Sequence, residues 1–162
     1  MKCYVLHTMS NMELTVKERL IQEGLKAVVP MEERLERRMG VWTPRKRILM
    51  QSYVFVYLAH LTPETYYTIT AIPGVIRFLG TQKPSSLPKE ELDYIEWLIG
   101  SNAILIPSTI KVNEEGTIKV IDGPLVGKEK SILKCYYRYR KVKVQLILKG
   151  KVIETTLSAQ FI

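Results

Sequence analysis

Apolar side chains recur along this chain with two periods, and the change of period divides it. In the first hundred residues, β-prone runs alternate with helical stripes. Cys3 to Thr8 predicts a strand. Ser10 and Glu13 stand at capping-box spacing and predict a helix to about Leu25, with Val16 and Leu20 inward and Gly24 as the stop. Lys26 to Met31 predicts a second strand, and Pro30 marks an edge or bulge. Glu32 to Arg47 holds Gly40 and Thr43-Pro44 and predicts a protruding hairpin or long loop. In residues 48–58, Tyr53, Phe55 and Tyr57 alternate with Val54, Val56 and Leu58. Both faces are apolar, which predicts a central strand. Thr62-Pro63-Glu64 opens a helix that ends before Pro73-Gly74, and Val75 to Leu79 follows as a strand. A third helix opens at Pro88, buries Leu92, Ile95, Leu98 and Ile99, and ends at Gly100.

Beyond residue 117 the period is two throughout. Ile118 to Ile121, Ser131 to Tyr137, Arg140 to Leu148 and Val152 to Leu157 predict strands, with Lys149-Gly150 as a hairpin turn. The expected fold is α+β. A sandwich of order β-α-β-β-α-β-α spans 1–101, a linker with one short strand at 103–106 or 110–112 spans 102–116, and a small SH3-like β-barrel spans 117–162.

Composition narrows the class. Hydrophobic residues make up 46% of the 162, enough apolar surface to exclude disorder along most of the chain. No apolar run approaches the roughly 20 residues that span a bilayer, and the start does not read as a signal peptide. Cys3 and Cys135 cannot build a disulfide framework or a four-thiolate metal site, so reduced thiols in a cytoplasmic protein are expected. His7 and His60 have no local metal partner and read as structural or surface residues. No nucleophile elbow, phosphate loop or zinc spacing is present, so neither enzymatic activity, a metal nor a cofactor is expected.

Charge fits either a polyanion binder or a solvated, solubilising surface. There are 24 basic residues against 16 acidic, and most of the excess falls after residue 100. One cluster is Arg34, Arg37, Arg38, Arg45, Lys46 and Arg47, mostly the forked cation suited to phosphate, with Trp42 beside them. A second comprises Lys128, Lys130, Lys134, Arg138, Arg140, Lys141 and Lys143, extended by Lys149 and Lys151 and interleaved with Tyr136, Tyr137 and Tyr139. Cations for phosphates and rings for bases suit nucleic acid. A third set, Tyr4, Met50, Tyr53, Phe55 and Tyr57, reads as core, or as an apolar patch for a partner helix where it stays uncovered.

The order of these signals resembles the NusG family of transcription elongation factors along nearly the whole chain. Ile72-Pro73-Gly74-Val75-Ile76 with Phe78-Leu79-Gly80, then Leu87-Pro88 with Glu90-Glu91, are similar to its N-terminal (NGN) domain. Asp122-Gly123-Pro124-Leu125 with Gly127 is similar to the opening of its KOW domain. The wording around Trp42 and Gly123-Pro124-Leu125 is most like the specialised paralog group LoaP.

The resemblance implies a monomer that docks on the clamp helices of RNA polymerase through an apolar hollow. Tyr4, Met50, Tyr53 and Phe55 correspond to that hollow, although Leu49-Met50-Gln51-Ser52-Tyr53 departs from the usual Phe-Phe-Pro-Gly-Tyr. It also implies that the Arg-rich segment lies near upstream or non-template DNA. LoaP-type relatives promote antitermination after recruitment by an RNA hairpin, and the basic barrel favours that partner. The alternatives are a general NusG-like factor whose barrel binds Rho or a ribosomal protein, and a ribosome-associated KOW protein that binds rRNA.

Overall fold

The computed structural model describes residues 1–80, 82–100 and 104–162, apart from the side chains of 98, 99 and 151. The expected burial of Leu98 and Ile99, the start of the linker and the side chain of Lys151 lie outside the described residues. The chain forms two compact units, one of 1–30 with 50–93 and the other of 31–49 with 94–162.

The first unit is an antiparallel sheet in the order β2-β5-β1-β6, formed by β1 (Lys2–Thr8), β2 (Lys26–Val28), β5 (Tyr53–Leu58) and β6 (Val75–Phe78). β5 is central, as its two apolar faces require, and β2, which ends just before Pro30, is an edge. Register fixes the faces. Tyr4 lies opposite Val56 and Val5 opposite Phe55, so Tyr4, Leu6, Val54 and Val56 share one side while Val5, His7, Tyr53 and Phe55 share the other.

Helix α1 (Glu13–Gln22) buries Val16 and Leu20. Its start differs from the expected capping box. The cap position is Met12, without a side-chain cap, and Glu13 is buried with its Oε1 accepting from the Ser52 amide at 2.8 Å. That carboxylate satisfies the turn before β5, a non-local partner that the Ser-x-x-Glu spacing does not reveal. Helix α2 (Pro63–Thr70) starts as expected, with Thr62 Oγ1 accepting from the Thr65 amide at 3.1 Å. Its Tyr66 stacks on Phe78 at 5.5 Å, and Tyr4 meets the same ring edge-on at 6.0 Å.

The second unit contains two sheets. The Arg-rich segment is a true hairpin, β3 (Met31–Arg38) and β4 (Val41–Ile48), joined at Met39-Gly40, both with positive φ, as a tight two-residue turn needs. β7 (Ile104–Leu105) adds to β3 in parallel. The barrel sheet runs β10-β11-β12-β8-β9, made of β8 (Ser108–Val112), β9 (Ile118–Asp122), β10 (Ile132–Tyr136), β11 (Lys141–Leu148) and β12 (Lys151–Phe161). Thus β8, within the segment read as linker, is hydrogen-bonded between β12 and β9. The last strand also runs four residues past its expected end, because Ala159, Gln160 and Phe161 pair with Ser108, Thr109 and Ile110. Pairing supplies what weak local β-propensity does not.

Val142, Val144, Leu146 and Leu148 are all buried, each worth roughly 1.5–3 kcal/mol of transfer free energy. Gly123 has φ of +102°, and a Cβ there would sit 2.6 Å from Ser108 Cα. The Asp-Gly-Pro turn therefore requires glycine so that β8 can approach. Helix α3 (Lys89–Ile99) spans the division between the two units. No helix among the described residues is long and apolar enough to cross a membrane.

Candidate functional site

The residues singled out by sequence fall into an aromatic patch in the first unit and a cationic surface in the second. Of the aromatic set, Tyr4, Met50 and Phe55 are buried, at 7%, 5% and 2% exposure. Tyr53 and Tyr57 are half-exposed. Tyr4 also faces the other way from Tyr53, because residues of odd separation across a register pair point to opposite sides. Phe55 is buried on the face that carries Tyr53, whereas Tyr4 lies on the opposite face, edge-on to Phe78.

Sequence reading missed His7. Its ring lies 5.8 Å from that of Tyr53, tilted by 32°, and His7 pairs with exposed Arg77 of β6. Strand parity alone could have flagged it, since His7 shares the face of Val5 and Phe55. The open patch is therefore Tyr53, His7 and Arg77, an aromatic surface with a cationic rim.

In the barrel, alternation turns Lys141 and Lys143 of β11 outward while Val142 and Val144 fill the core. Lys134 is opposite Lys143, and Tyr136 is opposite Lys141. Three lysines and a tyrosine thus form one patch on β10 and β11. Lys143 shares its charge with Glu154 at 3.0 Å, a solvent-exposed pair of small net value. Arg138 and Arg140 lie in the turn joining the two strands. Lys128 and Lys130, expected with them, sit instead around a 3₁₀ turn, Glu129–Ser131. The ammonium of Lys128 is 5.2 Å from the Tyr94 ring and 5.1 Å from the Trp97 ring, so cation–π contacts already engage it.

The hairpin packs against this barrel. Arg34 donates through Nη2 to the Thr156 carbonyl at 2.8 Å, and the Leu35 amide donates to Ser158 Oγ at 2.9 Å. The Arg140 guanidinium lies 4.4 Å over the half-buried ring of Trp42. By register Arg34, Arg38, Arg45 and Arg47 share one hairpin face, and Arg37 and Lys46 share the other. Arg45 pairs with Glu36 at 3.4 Å. Lys141 is less basic than an ordinary lysine, first through burial and then through the charges of Arg34 and Arg47, with Glu32 and Glu36 opposing. Cations crowded this closely form a surface that an anion relieves.

Glu32 sits beneath the crowd. It is buried, its Oε1 accepts from Arg34 Nε at 2.7 Å, and its Oε2 has no partner among the described residues. Burial raises its pKa above 4.5 in spite of Arg34 and Arg47. A carboxyl with a raised folded pKa holds its proton more tightly when folded. Stability therefore falls as pH rises from the ordinary value through the folded one, by at most about 1.4 kcal/mol per pH unit. Glu32→Gln keeps an acceptor for Arg34 and removes the titration. Urea midpoints of the variant relative to wild type are expected to diverge through that window and run parallel outside it.

Among the described residues no group of His, Cys, Asp or Glu could hold a metal ion, and neither Cys3 nor Cys135 is in a disulfide. The geometry is that of a small α/β sandwich followed along the chain by a basic β-barrel. Comparison with known proteins gives this class a family. The family model described as "Transcription termination factor nusG" matches residues 1–96. The transcription termination/antitermination protein NusG of Bacillus subtilis (strain 168) is 30% identical over 171 aligned positions, covering 98% of this chain and 94% of the relative. Its counterpart in Campylobacter jejuni is also 30% identical, covering 78% of this chain and 76% of the relative. A solved structure titled "Domain interaction in Thermotoga maritima NusG" shares the fold, with a TM-score of 0.61 at 23% identity over 97% of this chain and 93% of that one. The chain belongs to the NusG family of transcription termination/antitermination factors, which are not enzymes.

Proposed function

We propose that this protein is a cytoplasmic, monomeric elongation factor that docks on the clamp helices of RNA polymerase through its first domain and promotes processive antitermination. Its barrel holds a hairpin in the nascent transcript. The observation that carries the RNA assignment is the patch of Lys134, Lys141 and Lys143, where burial first, and then the charges of Arg34 and Arg47, lower the basicity of Lys141. Tyr53 and His7 offer the exposed aromatic surface for the polymerase, and Arg37, Arg38 and Lys46 on the exposed part of the hairpin are free to reach non-template or upstream DNA. Stem RNA would be held by shape and phosphates, because its major groove is too narrow to read.

One observation favours a protein partner instead. Ile147 and Val152 face each other on the barrel, each about half exposed, as an apolar pair suited to a protein surface. Salt dependence separates the readings. If about five phosphates are neutralised, log affinity for a stem RNA falls against log salt with a slope of roughly −4 to −5, taking duplex DNA as the guide. A slope near zero, with retained binding to a ribosomal protein or Rho, would move the barrel to the second reading. Transcription through an intrinsic terminator behind the native leader tests the whole proposal. Read-through is expected to rise when the protein is added, and no change would remove it.

A further inference from the structure

The turn between β10 and β11 builds a cavity that the charge patch does not explain. The Arg140 amide donates to the Tyr137 carbonyl at 3.2 Å, and the Arg140 carbonyl accepts from the Ala159 amide at 2.9 Å. Arg140 adopts φ of +52° in this turn. These contacts fix the turn against the end of β12. Tyr137, Arg140, Gln160, Phe161 and Ile162 then line a half-open cavity of about 380 Å³.

Its walls are flat. The Tyr137 and Phe161 rings are 4.8 Å apart and inclined by 58°, yet Tyr137 keeps 55% of its surface exposed. Arg140 is a third plane, held over Trp42 at 4.4 Å. Among the described residues no aspartate or glutamate side chain lines the cavity, and Gln160 brings an amide with both donor and acceptor groups to it. Arg138, exposed in the same turn, adds a cation outside the cavity. Flat rings, a guanidinium plane, one bidentate amide and a nearby cation are the set that recognises an unstacked base attached to phosphate. An acidic peptide would use the cations and leave the rings idle.

We propose that this cavity receives one unpaired base from the loop of an RNA hairpin. The base stacks between Tyr137 with Phe161 and the Arg140 plane, Gln160 meets its edge, and Arg138 meets its phosphate. The proposal rests on the RNA reading of the barrel and adds to it a second point of contact, at the loop rather than the stem.

The test uses the full chain and two RNAs: a hairpin with a uridine loop in which 2-aminopurine is moved through each loop position, and the same stem as a blunt duplex. Stacking is worth about 1–3 kcal/mol per base, so the hairpin is expected to bind about 5- to 150-fold more tightly than the duplex. Emission should change at one loop position. Tyr137→Ala and Phe161→Ala should each abolish the preference and the emission change. Their unaltered affinity for the blunt duplex would show that the barrel remains folded. Equal binding of both RNAs by wild type, or an emission change that survives both variants, overturns the loop pocket and leaves the stem reading intact. Failure of wild type to bind either RNA overturns both.

Discussion

Reversing two lysines, Lys141→Glu with Lys143→Glu, is expected to return terminator read-through to the level seen without the protein. The reason is arithmetic on charge. Near physiological salt, each counterion released from a phosphate is worth roughly fivefold in affinity, so losing two contacts costs about thirtyfold. The new carboxylates add repulsion, and Glu154 loses the Lys143 ammonium now 3.0 Å away. The face that Lys134 and Tyr136 share with them changes from cationic to anionic. Stem RNA affinity should fall about a hundredfold or more, and the salt slope should flatten by about two. The side chains point outward from the sheet, so the thermal transition should move little. Lys141→Gln with Lys143→Gln should fall between wild type and the reversal. Unchanged affinity in the reversed variant would sink the RNA assignment of this face.

The second large effect separates structure from docking within one strand. Phe55 is buried and Tyr53, two residues earlier on the same face, is half-exposed. Phe55→Ala removes a fully packed ring and should cost about 3–5 kcal/mol. That is a large fraction of the roughly 5–15 kcal/mol that holds a domain together, so the first unit should melt much earlier or fail to fold. Tyr53→Ala removes a ring that already meets solvent and touches His7 at 5.8 Å, so the unit should stay folded. If Tyr53 is the anchor of the polymerase contact, its truncation should weaken capture of RNA polymerase by about 30-fold, the effect of losing an interface aromatic worth about 2 kcal/mol. Circular dichroism melts and a polymerase pull-down on the same two variants decide it. A folded Tyr53→Ala protein that captures polymerase normally would place the docking surface elsewhere.

Periodicity in the sequence was sufficient for most elements. The alternation at 140–148 named the inward and outward residues of β11, and the Thr62-Pro63 start of α2 held to the residue. Apolar residues on both sides of 53–58 placed that strand in the middle of its sheet. These features depend on a side chain and neighbours one to four positions away, which a sequence displays directly. The family resemblance was legible for a related reason, because it rests on short local motifs such as the Asp122-Gly123-Pro124 turn, where φ of +102° at Gly123 and the close approach of Ser108 require glycine.

Other features depended on partners far along the chain. Ser10 and Glu13 have the spacing of a cap, but Glu13 bonds the Ser52 amide. Tyr4 and Tyr53 both looked like wall residues, and only the register between β1 and β5 assigns them to opposite faces. The continuation of β12 to Phe161, which completes the cavity with Tyr137, comes from pairing with β8. The sequence by itself determined the helices, most of the strands and the total charge, since each follows from local propensity and composition. Which cations stand together, which aromatic rings remain open and which carboxyl lies buried under arginines were decided by tertiary structure. Strand register and long-range packing bring residues more than a hundred positions apart, such as Arg34 and Thr156, within hydrogen-bond distance.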